Sequence, residues 1–348
     1  MLLTRFIVSA ASLFATMAVA QTSEPPANWP SFKYQGIAIE PAKLRYNPTN
    51  EIIFPSLFNA GAYLSNPLGQ WYMYFAPHDD PGGISLAYAD SLEGPWTEYE
   101  SNPIIANRIP KKYSVPHVSS PDAIWNPYVK GKDNGKVMLY FHGNNGQTRW
   151  AYSEDGVKFS YGGLSVENKQ GGPRVTESSY ARVFPHPNAA SGYRWAMFYM
   201  GNEKDNIRRI RLAESVDGKK WTVSPNYVVA PSTEEGKNVS GGDLWEWNGQ
   251  LYIIYHGSSG KIYARTIDST LRNVGTTPIL LHQASGEGED VGRCAAPQIV
   301  TTGGTTYLYY ESGARLSADI AFAKMEAPPT PPATEVKTTK KKSSSRRG

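Results

Sequence analysis

Trp71-Tyr72-Met73-Tyr74-Phe75-Ala76-Pro77 is the first of five related stretches that decide the fold. The others are VMLYFHG from Val137 to Gly143, AMFYMGN from Ala196 to Asn202, YIIYHGS from Tyr252 to Ser258 and YLYYESG from Tyr307 to Gly313. Aligned on Tyr74, Tyr140, Tyr199, Tyr255 and Tyr310, they recur at spacings of 66, 59, 56 and 55 residues. A recurring period of short β-rich units is the signature of a repeat architecture. Five such units predict an all-β fold: a five-bladed β-propeller of four-stranded antiparallel blades around a central funnel.

Working outward, each tyrosine strand is preceded by an inner strand. These are expected over residues 52–57, 119–125, 178–184, 241–247 and 295–300. Third strands are expected over 84–89, 148–153, 207–213, 261–266 and 319–323. Asn248-Gly249 is a strong hairpin signal between an inner strand and its tyrosine strand. The turns Gly94-Pro95-Trp96, Asp155-Gly156-Val157-Lys158-Phe159 and Asp217-Gly218-Lys219-Lys220-Trp221 each deliver an aromatic residue to a fourth strand, where packing between blades is expected. The propeller is expected over residues 51–326, with 21–50 as a Pro-rich lead-in.

Residues 1–20 resemble a secretory signal. Arg5 leads an apolar run, and Ala18-Val19-Ala20 is a small-residue cleavage motif. The run is short for a membrane span, and no later segment is apolar enough for one. The chain is therefore expected to be exported, to the periplasm or the extracellular space. Cys294 is the only cysteine, so no intramolecular disulfide is available to an exported chain. It reads as a small buried hydrophobe without a recognisable partner histidine. The net charge of +4 comes from the ends. Without Arg5 and the six Lys and Arg residues of the tail, residues 21–335 carry −3. Nucleic acid is thus not an expected partner. The tail, residues 327–348, is Pro-, Thr-, Ser- and Lys-rich and is expected to be disordered.

Two acids stand out in the inner strands. Asp122 follows Pro121 in the second, and Glu177 opens the third. Both are expected to face the funnel, where apolar walls and neighbouring carboxylates raise a carboxyl pKa toward proton donation. Histidines recur at strand ends and loops: His78, His117, His142 and His256. Tyr180 and Arg182 lie in the third inner strand, and Arg293 enters the fifth. Arginine pairs bidentately with carboxylates. Arg182 and Arg293 are therefore candidates for recognising an acidic sugar or for neutralising Asp122 and Glu177.

The repeat count, the strand order, Ser120-Pro121-Asp122, the blade-three Glu177 and the turn Ser91-Leu92-Glu93-Gly94-Pro95-Trp96 together resemble the five-bladed propeller glycoside hydrolases around families 43, 32 and 117. The resemblance implies hydrolysis of a polysaccharide or oligosaccharide by a monomer that needs no cofactor. It implies that Glu177 is the general acid and that Asp122 orients and tunes it. The family's third acid, an Asp before Pro, falls here on Phe54 before Pro55. Hydrolysis by the usual route needs two carboxylates, so a replacement is required. Asp79, in the loop His78-Asp79-Asp80-Pro81-Gly82-Gly83, is the favoured base. Asp80, Asp243, Glu287, Glu289 and Asp290 are the alternatives. Gly286-Glu287-Gly288-Glu289-Asp290 is also a candidate structural Ca²⁺ loop, although it lacks a defined ligand spacing; no catalytic metal ligands are expected.

The Phe54 departure keeps two other readings open. One is a polysaccharide lyase acting on a uronate, with a Tyr or His base and an Arg neutraliser. The other is a propeller that binds glycans without turnover.

Overall fold

A computed structural model describes residues 25, 26 and 28–326. The signal-like residues 1–20 and the basic tail 327–348 lie outside the described residues. Five four-stranded antiparallel sheets form the blades. Blade I comprises Ile53–Phe58, Trp71–Ala76, Ser85–Ala89 and Thr97–Glu98, from the axis outward. Blade II comprises Val118–Asn126, Lys136–Gly143, Gln147–Ser153 and Ser160–Glu167. Blade III comprises Val175–Pro185, Trp195–Glu203, Arg208–Ser215 and Thr222–Val229. Blade IV comprises Val239–Trp247, Gln250–Gly257, Ile262–Thr266 and Ile279–His282. Blade V takes three strands from the C-terminal side, Cys294–Thr302, Thr305–Ser312 and Asp319–Glu326. Its fourth strand, Ser31–Ile39, lies within the stretch read as a lead-in and pairs antiparallel with Asp319–Glu326. Ring closure therefore joins the two ends of the described chain.

The second strands are buried along nearly their whole length, because each is sandwiched between neighbouring blades. The strand register corrects the tyrosine alignment. Tyr74 and Tyr140 pair with Ser56 and Asp122, two residues into the chain from the equivalent break in each inner strand. The same position is held by Phe198, Ile254 and Tyr309, not by Tyr199, Tyr255 and Tyr310. A one-residue offset in a strand moves a side chain to the opposite face. The hydroxyls agree with this register. Tyr74 Oη donates to the Gly156 carbonyl at 2.7 Å and Tyr140 Oη to the Gly218 carbonyl at 2.6 Å. Tyr309 Oη donates to the Leu92 carbonyl. Each stitches its blade to a turn of the next one.

Those turns also deliver the expected aromatics. Trp96, Phe159 and Trp221 pack edge-on against Tyr309, Tyr74 and Tyr140 at centroid distances of 6.4, 6.0 and 5.8 Å. They are interblade packing, as the sequence position suggested.

All five inner strands are broken at one equivalent place. Phe54, Ser120, Tyr180, Gly241 and Ala296 have φ of +58°, +52°, +53°, +62° and +45°. Each starts a bulge, a two-residue step in which two inner-strand residues stand opposite one residue of the partner strand. Four of these are not glycine, so the left-handed backbone is held there against its intrinsic cost. The step splits each inner strand into an upper part that lines the mouth and a lower part that plugs the axis.

The stitching hydroxyls give a direct test. Tyr140→Phe should leave the buried Gly218 carbonyl without its partner and cost about 1–3 kcal/mol. Urea unfolding of the two proteins measures this.

Candidate active site

Below the step, five side chains converge on the axis: Ser56, Asp122, Arg182, Asp243 and Gln298, one from each blade. Arg182 dominates this layer and is fully buried. Its Nη1 donates to Asp122 Oδ1 at 3.2 Å. Its Nη2 donates to the Pro55 carbonyl at 2.8 Å and to the Ala296 carbonyl at 3.3 Å. The guanidinium carbon lies 4.0 Å from the centroid of the Phe54 ring, a cation–π contact. Asp122 also accepts from the Val183 amide at 2.7 Å and from Ser56 Oγ at 3.4 Å.

The two-residue step therefore overturns the expectation that Asp122 faces the funnel. It carries Asp122 beneath the floor, where it is 2 % exposed. Burial pushes its carboxyl up to about 7, against the opposing pull of Arg182. Arg182, expected to bind substrate, lies beneath the same floor. Asp243 is half-buried in this layer. Burial raises its pKa too, and Arg182 opposes the rise.

Above the step lies a cavity of about 240 Å³ at the channel mouth. Ile53 and His78 line it from blade I, and Tyr180 and Arg208 from blade III. Ser240 and His256 contribute from blade IV, and Arg293, Glu311 and Arg315 from blade V. Ile53, Phe54, Tyr180, Met200 and Ala296 pack together as its apolar base.

The histidines divide into two pairs. His256 Nδ1 accepts from the Ala296 amide at 3.1 Å, so its proton sits on Nε2 as a donor. Burial holds its pKa well below the usual histidine value, and nearby arginines add to this. His78 Nε2 lies 3.3 Å from Tyr180 Oη and its Nδ1 lies 2.9 Å from Asp79. The His78 amide donates to buried Glu51 at 3.0 Å. His142 and His117 are absent from the cavity lining. His142 is buried against the Tyr180 ring at 5.3 Å, and His117 packs on His142 at 5.4 Å. His117 also contacts Asn145 at 3.1 Å and Asp80 at 3.3 Å.

Among the acids, Asp79 has its side chain 55 % exposed and is bonded to His78 outside the cavity lining. Glu287 and Glu289 are exposed, whereas Asp290 is buried behind blade V. Glu177 stands near the start of the blade III inner strand and, like Asp79, is absent from the cavity lining; it contacts Arg208, which lines the cavity. Its Oε2 is buried, lies 3.7 Å from Arg208 Nη2 and accepts no hydrogen bond. Glu311, which the sequence reading missed, lines the cavity. Its Oε1 accepts the Phe54 amide at 3.2 Å and its Oε2 accepts from Arg293 at 2.5 Å. A carboxylate thus reaches from blade V to the backbone of the blade-one position that lacks one. Glu311 occupies the same register position as His142 and His256, and that shared position was its signal in the sequence.

No protein-family model matches this sequence, and no curated protein matches it. The fold does have counterparts among solved structures. One is a BT0996 RGII complex, with a TM-score of 0.63 at 16 % identity, covering 88 % of this protein and 94 % of that one. A thermostable family-43 glycoside hydrolase gives a TM-score of 0.58 at 14 % identity, covering 79 % and 89 %. An α-L-arabinofuranosidase from Lactobacillus brevis gives 0.56 at 15 % identity, covering 80 % and 92 %. At these identities the likeness establishes the shared fold, the five-bladed propeller found in family-43-like glycoside hydrolases.

The axial layer makes stability depend on pH. Asp122 binds a proton in the folded state up to about pH 7, whereas its ordinary pKa is 3.8. Its contribution is therefore fully present below pH 3.8 and lost as pH rises through about 7. Asp122→Asn should flatten that slope. Arg182→Met should cost about 3–5 kcal/mol above pH 7, where it strands buried carboxylates, and less at pH 5. Denaturant unfolding across this pH range checks both.

Proposed function

We propose that this protein is a glycosidase that cleaves a glycosidic bond of a polysaccharide or oligosaccharide held in the channel-mouth cavity. The observation that carries the reading is Glu177. Its buried Oε2 accepts no hydrogen bond and lies beside Arg208, which lines the cavity. A carboxyl group with a free oxygen next to a cavity-lining side chain is positioned to contact a leaving glycosidic oxygen. The likeness of the fold to a family-43 glycoside hydrolase and an α-L-arabinofuranosidase supports the reaction class.

In this mechanism Glu177 is the general acid and Glu311 is the second carboxylate. Glu311 takes the role assigned from sequence to Asp79, because Glu311 lines the cavity and Asp79 does not. The Phe54 amide and Arg293 fix its two oxygens toward the cavity. It acts on the anomeric carbon either directly or through a water, and the distance between the two carboxyl groups decides which. His256 Nε2–H and Arg208 orient hydroxyl groups. Asp122 acts at one remove: its bonds to Arg182 and Val183 fix the blade-three strand on which Glu177 sits. Export of the chain, directed by residues 1–20, and a monomeric state belong to the same proposal. No helix among the described residues is long and apolar enough to cross a membrane.

A second reading rests on a different observation. Tyr180 Oη touches His78 Nε2, and Arg208, Arg293 and Arg315 share the cavity with them. A uronate lyase needs such a base and such cations. Its product carries an unsaturated uronic acid with a near-ultraviolet absorbance that hydrolysis does not generate.

The test is reducing-sugar release from a panel of plant, algal and microbial polysaccharides. Glu177→Gln and Glu311→Gln should each lower kcat by about 10²–10⁴-fold with the fold intact by circular dichroism. Full activity in the Glu177→Gln protein would overturn the assignment. Release accompanied by near-ultraviolet absorbance, abolished in Tyr180→Phe, would establish the lyase instead.

A further inference from the structure

The seam where the ring closes holds a second cluster of reactive side chains, remote in sequence from the blade I and III residues of the cavity. His282 ends the outermost strand of blade IV. Cys294 opens the innermost strand of blade V. Asp290 lies in the loop between them. All three are buried, at 6 %, 0 % and 0 % exposure. One donor atom from each lies within 4.8 Å of the others.

Two of the three donors are held in place by their surroundings. The Phe32 backbone hydrogen-bonds the His282 ring, yet Nε2 has no partner. The Tyr310 ring fixes the imidazole from the side, at a centroid distance of 4.7 Å. Asp290 Oδ1 accepts from Tyr310 Oη at 2.9 Å and from Ser312 Oγ at 3.1 Å. Its Oδ2 accepts from the Ser285 amide at 2.8 Å. Backbone and hydroxyl groups that orient a histidine and a carboxylate are the usual outer shell of a metal site.

A buried ring nitrogen left without a hydrogen bond is costly and calls for an explanation. A cysteine acting only as a small hydrophobe supplies none. We propose that His282, Asp290 and Cys294 bind a divalent cation of the zinc class. Imidazole, thiolate and carboxylate together suit a borderline-soft ion. They do not suit Ca²⁺ or Mg²⁺, which take oxygen ligands. Binding replaces the thiol proton with the metal–sulfur bond and releases that proton to solvent. The thiolate and carboxylate then balance the two charges of the ion. Burial alone pushes the Cys294 thiol up and His282 down to about 4, and a bound cation favours the forms that ligate.

The position gives the site a role. It ties blade IV to blade V, and through Phe32 it contacts the closing strand Ser31–Ile39. A chain with one cysteine has no intramolecular disulfide at that seam. A metal latch there would do the same work, and it stands independently of the glycosidase reading. It also supplies the histidine partner that Cys294 lacked in the sequence.

The experiment uses the untagged full chain, stripped with chelator and titrated with Zn²⁺ alone and Co²⁺ alone. The expected result is about one equivalent bound per chain. The Co²⁺ form should show thiolate charge-transfer absorbance, and Zn²⁺ should raise Tm above that of the stripped protein. Cys294→Ser should lose the charge-transfer band. His282→Gln, which keeps the thiol, should weaken zinc binding at least about tenfold, and it serves as the test if the cysteine variant does not fold. Three results would each overturn the proposal: sub-stoichiometric zinc on a folded chain, a cobalt spectrum without a thiolate band, or a Tm raised by Ca²⁺ but not by Zn²⁺.

Discussion

Arg182 is the interaction on which the rest of the structure depends. A guanidinium buried at the axis is tolerable only if most of its donors are met, and here both Nη groups are paired although Nε is not. Asp122 of blade II and carbonyls of blades I and V accept from it. The Phe54 ring covers its face. One side chain from blade III therefore fixes the mutual positions of blades I, II and V. The remaining axial contact has the same logic, with Gln298 of blade V accepting the Leu57 amide of blade I at 2.6 Å. The cost of the buried charge is offset by geometry, and that geometry is the propeller.

This layer explains why Phe54 stands where a carboxylate was expected. An acid pointing down at that position would add a third carboxylate around a single buried cation already opposed by Asp122 and Asp243. Phenylalanine instead lids the guanidinium and seals the floor. The proposed chemistry lies above this floor, where His256 and Glu311 line the cavity and Glu177 contacts the cavity-lining Arg208.

The architecture was legible because alternating burial and turn residues repeat at a scale of one blade. Strand order and blade count followed from that. The finer register was not legible. Tyr199, Tyr255 and Tyr310 look like copies of Tyr74 and Tyr140, but a single-residue offset puts them on the opposite face. Asp122 was misplaced for a related reason. The left-handed residue and step in each inner strand are only partly marked in sequence. Pro follows Phe54, Ser120 and Ala296, and Gly241 is itself glycine, but nothing marks Tyr180-Ala181, and none of this shows which face the next side chain takes. Glu311 was missed although it follows Tyr310 as His256 follows Tyr255, because the one-residue offset of the tyrosines hides its match to His142. Closure by Ser31–Ile39 and the approach of His282 to Cys294 both depend on contacts that only the closed ring creates.

The central claim is that a sealed floor leaves the chemistry to two carboxylates above it, Glu311 in the cavity lining and Glu177 against the cavity-lining Arg208. A crystal structure of the Glu177→Gln protein with a bound oligosaccharide product or substrate tests it most directly. The account predicts a sugar ring above Phe54 and Tyr180, with its glycosidic oxygen in hydrogen-bond contact with residue 177 and its anomeric carbon facing Glu311. A sugar bound with its anomeric carbon turned toward Asp79, or lodged outside the cavity, would contradict it.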